Sequence, residues 1–172
     1  RFSPCFIGCR VLALRKMLLP SPGAASMMLP ARQGVFMFDD LKGKVVVVTG
    51  GVTGIGGAAS LAFAAAGARV FAQYLGGGEE LAAVEKAGIA TLKLDLTEEG
   101  APEKLMAAAV ARFGRIDVLV NNAGYSLLGN FEELSSAEFE RQIATNLFGV
   151  IYVMRAALPV MRKQRSGHVI NI

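Results

Sequence analysis

The stretch Thr49-Gly50-Gly51-Val52-Thr53-Gly54-Ile55-Gly56 has residue types and spacing that could do chemistry. It follows four valines, 45–48, and precedes a run of small residues, 58–66. That order reads as strand, glycine turn, helix. Gly50, Gly54 and Gly56 fit three tasks: a tight turn out of a strand, close backbone approach to a pyrophosphate, and close packing of helix on sheet. A helix starting there offers unpaired N–H groups and a positive dipole end to an anion. The spacing is G-x-x-x-G-x-G rather than G-x-G-x-x-G, and an ordinary strand-to-helix turn would also explain the glycines taken alone.

Three further positions carry polar groups at the ends of elements. Asp95 stands just after a predicted third strand, where a carboxylate can accept a hydrogen bond from an amino group, or simply serve as an acid near a helix N-terminus. Asn121-Asn122-Ala123-Gly124 follows a predicted fourth strand. The asparagine amides there can bind backbone and hold the sheet end to the glycine turn, and Gly124 permits close approach. Asn146 falls inside a predicted helix, where asparagine has poor propensity. By itself it reads as a solvent-facing residue.

The elements that must position these residues alternate from residue 44 onward. Strands are predicted at 45–49, 69–74, 90–94 and 116–121, with a fifth starting at 168–172. Helices are predicted at 55–66, 79–86 and 103–113. Thr97 is a candidate cap for the third helix, and Pro102 is tolerated in its first turn. Ser135 and Glu138 form a capping box for a long helix. Its apolar stripe is Phe139, Ile143, Leu147, Val150, Ile151, Met154 and Leu158, and Pro159 is expected to kink or end it. Strands alternating with helices predict an α/β fold with a doubly wound parallel sheet and right-handed crossovers.

Composition bounds the rest. Of 172 residues, 53% are hydrophobic and 19% charged, enough to bury a core. The formal charge of +4 is uneven. Residues 1–36 hold five basic residues and no acid, whereas 37–172 hold 13 basic residues and 14 acids. The body is near neutral, so a nucleic-acid stripe is not expected. Residues 1–36 read as a basic leader, either a transit-like segment or upstream residues from a misplaced start, with the domain at 38–172. Cys5 and Cys9 both lie in that leader, so neither a disulfide framework nor a metal site is expected, and a reducing compartment suits the body. No run reaches the roughly 18 apolar residues of a membrane helix, and no membrane partner is expected.

Together the four motifs, each on its proper element, resemble the short-chain dehydrogenase/reductase family from about residue 41 to 172. The resemblance implies a Rossmann fold, incomplete at the C-terminus, and a nicotinamide cofactor. It implies that Thr49, Gly50, Thr53, Gly54, Ile55 and Gly56 form the cofactor turn. Tyr74, Asp95, Leu96, Asn122, Ala123 and Gly124 would complete the cofactor site, with Asp95 contacting the adenine and Gly124 giving close approach on the nicotinamide side. Asn146 would be the active-site asparagine of a water-holding proton relay.

The second strand ends Ala72-Gln73-Tyr74, without the acid that holds a ribose 2′-hydroxyl, and no Arg or Lys stands in the turn. NADP is weakly preferred over NAD. The family's chemistry needs a Ser and a Tyr-x-x-x-Lys. Tyr74, Tyr125 and Tyr152 are followed four residues later by Gly78, Gly129 and Ala156. The chain is therefore expected to be an N-terminal part, inactive alone, of an oxidoreductase acting on a small alcohol or carbonyl. The alternative is a non-catalytic dinucleotide-binding or interaction protein. The full-length protein is expected to be a homo-oligomer. Its location is expected to be cytoplasmic, or an organelle matrix if residues 1–36 are a transit peptide.

Overall fold

The computed structural model describes residues 39–172. The expectations for residues 1–36, including Cys5 and Cys9, lie outside the described residues. After a short 3-10 turn at Asp39–Leu41 come β1 (Val45–Val48), α1 (Gly54–Ala65), β2 (Arg69–Tyr74) and α2 (Glu80–Lys86). Then follow β3 (Ala90–Lys93), α3 (Ala101–Phe113), β4 (Val118–Asn121), α4 (Ser136–Ile143), a π-helical segment (Ala144–Gly149), α5 (Val150–Gln164) and β5 (His168–Asn171). All five strands pair in parallel in the order β3-β2-β1-β4-β5. The order reverses between β1 and β4, the crevice where open α/β sheets bind ligands.

Period-2 alternation sorts the strand side chains into two cores. Val46, Val48, Val70, Ala72, Val118 and Val120 face α1 and α2, meeting Phe63, Val84 and Leu81. Val47, Phe71 and Leu119 face the other way, onto Leu105, Met106 and Ala109 of α3 and Val153, Ala157 and Met161 of α5. The four valines of β1 are fully buried because both faces of the central strand are covered. Each such side chain contributes roughly 1.5–3 kcal/mol on burial.

Three sequence-based expectations need correction. Thr97 does not cap α3. The cap position is Gly100, with φ +73°, and Thr97 instead donates its N–H and hydroxyl to Asp95. A local Asx turn won over the helix cap. Pro159, expected to kink or end the helix, does not end it: α5 runs on to Gln164. Pro159 and Arg155, whose carbonyl the proline ring leaves without an N–H partner, are both exposed residues. Finally, the continuous helical stretch Ser136–Gln164 is by length and composition apolar enough to cross a membrane, with a mean hydropathy of 1.5 over its most apolar 18 residues. The expectation that no segment qualifies rested on uninterrupted apolar runs, which Asn146 and Arg155 break. One side of this helix packs Val153, Ala157 and Met161 into the core.

The capping box forms as the sequence predicts. Glu138 N–H donates to Ser135 Oγ (3.3 Å), and Ser135 N–H donates to Glu138 Oε2 (2.8 Å). The Ser135 N–H and the Ser135 hydroxyl (2.7 Å), both donating to Glu138 Oε2, hold that carboxyl below its usual value.

Candidate cofactor site

The glycine turn leaves β1 toward the crevice beside β4, and its shape follows from residue type. Gly50 (φ +60°) and Gly54 (φ +54°) take left-handed backbone that side chains disfavour. A Cβ on Gly50 would sit 3.1 Å from Ala123 Cα, so the turn touches the segment after β4. A Cβ on Gly54 would meet nothing, because that residue faces open space. A Cβ on Gly56 would collide with the Gly50 carbonyl and Asn122 Nδ2, so α1 can seat on the turn only with glycine there.

Thr53 precedes α1 without using its side chain as a cap. The first backbone bond of the helix runs from Gly57 N–H to Thr53 O (2.9 Å). The amides of Gly54, Ile55 and Gly56 are thus the first-turn donors that α1 cannot satisfy itself. Ile55 is 70% exposed beside them.

Thr49 and Asn122 lock the two central strands together. The buried Thr49 Oγ1 accepts from Asn122 N–H and Ala123 N–H, both at 3.0 Å. Asn122 Nδ2 donates to the Thr49 and Gly50 carbonyls at 3.1 and 3.2 Å. Asn121 reaches the other way, donating from Nδ2 to Asn171 Oδ1 at 2.9 Å and so joining β4 to β5.

Asn146 sits on the π-helical segment, a geometry that recurs at functional sites. Its Oδ1 accepts from Tyr125 N–H (3.1 Å) and its Nδ2 donates to Tyr125 O (2.7 Å). Gln142 Nε2 donates to the same carbonyl at 3.2 Å. The Asn146 amide therefore pins the loop after β4 through one bond at its oxygen and one at its nitrogen. A Cβ on Gly124 would come 3.2 Å from Asn146 Oδ1, so glycine lets the loop and helix meet.

A cleft of about 460 Å³ gathers Gly50, Thr53, Gly54, Ile55, Asn122, Ala123, Gly124 and Asn146, with Tyr125, Ser126 and Ile172. Five of the sequence candidates do not line it. Thr49 is buried beneath the turn, and Gly56 is buried against it. Leu96 turns its side chain into the core cluster that includes Leu105 and Ile116. Tyr74 packs on the α1–α2 side and lies against Gly77. Asp95 is partly buried, and its Oδ1 is occupied by Thr97.

A residue not singled out from sequence is Gln73. Its Oε1 accepts from Gly50 N–H (2.9 Å), and its Nε2 donates to Leu94 O. An amide following the buried apolar run Val70-Phe71-Ala72 of β2 was the available signal.

A family profile described as short chain dehydrogenase matches residues 44–172. The chain belongs to that family. The uncharacterized oxidoreductase YgcW of Escherichia coli K12 is 39% identical over 139 residues, covering 78% of this chain and 53% of that protein. L-fucose dehydrogenase of Rattus norvegicus is 41% identical over 132 residues, covering 76% of this chain and 48% of that protein. The crystal structure of NADH-dependent reductase A1-R' complexed with NAD superposes with a TM-score of 0.70 at 32% identity, over 78% of this chain and 61% of that one. The chain spans about half the length of the curated relatives it matches. The short-chain dehydrogenase fold accounts for the sheet order and for the cleft at its switch point.

Proposed function

We propose that this chain supplies the dinucleotide-binding part of an oxidoreductase that moves hydride between a nicotinamide dinucleotide and a small alcohol or carbonyl. The observation that carries the reading is the first turn of α1. Its unsatisfied amides open beside Gly54, into space that no side chain fills, at the β1/β4 switch point. That cradle fits a pyrophosphate. Ile55 and Gly56 N–H would hold its oxygens, with the Thr53 hydroxyl beside them. Asp95 stands on the adenine side. Ala123, Gly124 and the Tyr125 loop pinned by Asn146 stand toward the nicotinamide. The bound nicotinamide supplies the hydride chemistry. Thr49, Asn122 and Asn146 hold the walls.

The names of the relatives support a sugar-like or other hydroxyl-bearing substrate class: one is an L-fucose dehydrogenase and another a 3beta-hydroxysteroid dehydrogenase. NADP is the preferred cofactor in this reading. β2 ends at Tyr74 without an acid that would repel a 2′-phosphate. Arg69, at the far end of that strand, lies over the Phe113 ring (5.5 Å) and takes no part. Calorimetric titration of the purified chain tests both levels. Tighter binding of NADP is expected. Equal affinities would remove the preference, and no heat with either dinucleotide would remove the reading. Because the 172 residues hold no Tyr followed four residues later by Lys, binding is expected without turnover. Cofactor reduction by the purified chain above a protein-free control would refute that.

The same reading includes a homo-oligomeric whole protein in the cytoplasm. The cysteine-free body and the exposed apolar side of α4–α5 support it. Detection of the cell's protein in an organelle fraction would move it to a matrix.

A further inference from the structure

We infer that Gln73 is a positioning residue that bolts the glycine turn to the loop carrying Asp95, so that the two grip a dinucleotide's adenosine-pyrophosphate half as one unit. The inference rests on the dinucleotide reading above.

Gln73 is only 2% exposed, and both ends of its amide are engaged. Gly50 offers an N–H, so the atom facing it must be the oxygen. Leu94 offers a carbonyl, so the atom facing it must be the nitrogen. The two partners together fix the orientation of the amide without ambiguity. The Gln73 backbone carbonyl also accepts from Gly51 N–H at 2.8 Å. One residue at the end of β2 therefore holds two successive amides of the turn after β1 and the last carbonyl before Asp95 after β3.

Neither attachment is part of the regular ladder. The ladder between β1 and β2 ends at Val48 and Ala72, and that between β2 and β3 ends at Tyr74 and Lys93. Beyond those rungs the backbone keeps one bond on each side, Gly51 N–H to Gln73 O (2.8 Å) and Leu94 N–H to Tyr74 O (2.9 Å). The Gln73 side chain spans the gap at the edge of the sheet where the cleft opens. It also decides which amides remain for an anion. With Gly50 and Gly51 N–H turned back onto Gln73, the donors left facing the cleft belong to the first turn of α1. A residue with no polar end would release Gly50 N–H and leave the Leu94 carbonyl unpaired. The turn and the Asp95 loop would then be tied to β2 by those two backbone bonds alone, and a ligand touching both would have to supply the lost order.

A matched control exists in the same molecule. Gln164 also uses both ends of its amide as a clamp, accepting from Ile116 N–H (3.0 Å) and donating to Ile116 O (2.7 Å). It does so at the start of β4, at the opposite end of the sheet. Loss of either clamp removes comparable bonds, but only Gln73 touches the cleft's walls.

The test is calorimetric binding of ADP-ribose, NAD and NADP to the 172-residue chain, to Gln73→Met and to Gln164→Met. Gln73→Met is expected to weaken every ligand by about tenfold, the equivalent of one unsatisfied buried pair. Gln164→Met is expected to bind as the unsubstituted chain does, even where its melting temperature falls as far. Binding by Gln73→Met within about twofold of the unsubstituted chain overturns the inference, as does an equal loss in Gln164→Met. If the unsubstituted chain binds none of the three, the dinucleotide reading itself fails, and this inference fails with it. Should Gln73→Met not fold, amide hydrogen exchange on the unsubstituted chain decides. Gly50 N–H is expected to be as protected as Gly51 N–H without ligand, and a Gly50 amide that exchanges freely overturns the clamp.

Discussion

A single hydroxyl does unusual work in this cleft. Thr49 Oγ1 accepts from two consecutive amides, Asn122 and Ala123, that lie more than seventy residues away. Replacing it with valine keeps the volume and removes the acceptor. Two N–H groups then lose their partner at the switch point, a cost of roughly 1–3 kcal/mol. Thr49→Val is expected to lower the melting temperature by several degrees, with Thr49→Ser recovering most of the loss. An unchanged melt in the valine variant would show that water replaces the hydroxyl. The type and place of Thr49 were legible in the sequence, but not the direction of its side chain. That direction depends on β4 lying beside β1, a pairing between distant segments. Gln73 was missed for the same reason, since its two partners belong to different neighbouring strands. Gly54, Ile55 and Asn122 were singled out because a glycine turn after one strand and an Asn-Asn-Ala-Gly run after another are each local features, although the contact between them is not.

Elements were readable where local chemistry decides them and less so where tertiary contacts do. β2 falls at 69–74 as the alternation of strand and helix predicts, and the Ser135/Glu138 box starts α4 because both partners are three residues apart. The π-helical turn at Ala144–Gly149 has no such signature, and the Asp95–Thr97 contact displaced a cap that Thr97 could otherwise have formed. At the far end of the sheet from the cleft, Asp117 anchors the start of β4. Burial pushes its carboxyl up, but the bond from Val45 N–H (2.9 Å), together with the Arg115 and Lys44 charges, outweighs that and holds it below its usual value. A carboxyl lowered in the folded state stabilises the fold at any pH above its unfolded value. That contribution fades as pH falls through the folded value. Asp117→Asn, which resembles the protonated acid, is expected to be about 1 kcal/mol less stable near pH 7. The gap should close below about pH 4. Denaturant midpoints across that range would show it, and a gap that persists at low pH would place the asparagine's cost in packing instead.

For the whole molecule, the informative feature is how the long helix divides its faces. Gly149, Val153, Ala157 and Met161 are buried against the sheet and α3. Ile143, Leu147, Phe148, Ile151 and Tyr152 recur at helical spacing on the outer side and are 41–49% exposed. Phe148 and Tyr152 stack with ring centroids 5.9 Å apart, making one apolar surface rather than scattered residues. Much of the stripe read from the sequence is therefore this outer face, because periodicity marks an apolar side without saying which neighbour covers it. A contiguous apolar patch favours association, and a second copy of the chain presents the same patch for a two-fold contact. Sedimentation velocity on the purified chain is expected to show dimers or larger species that dissociate on dilution. Leu147→Glu combined with Ile151→Glu puts like charges in the centre of that contact while leaving Val153 and Ala157 in place. The double variant is expected to sediment as a monomer with little change in melting temperature. If the unsubstituted chain is already a monomer with a cooperative melt, the patch does not pair with itself. If instead the double variant loses its cooperative melt, those two side chains serve the fold rather than an interface.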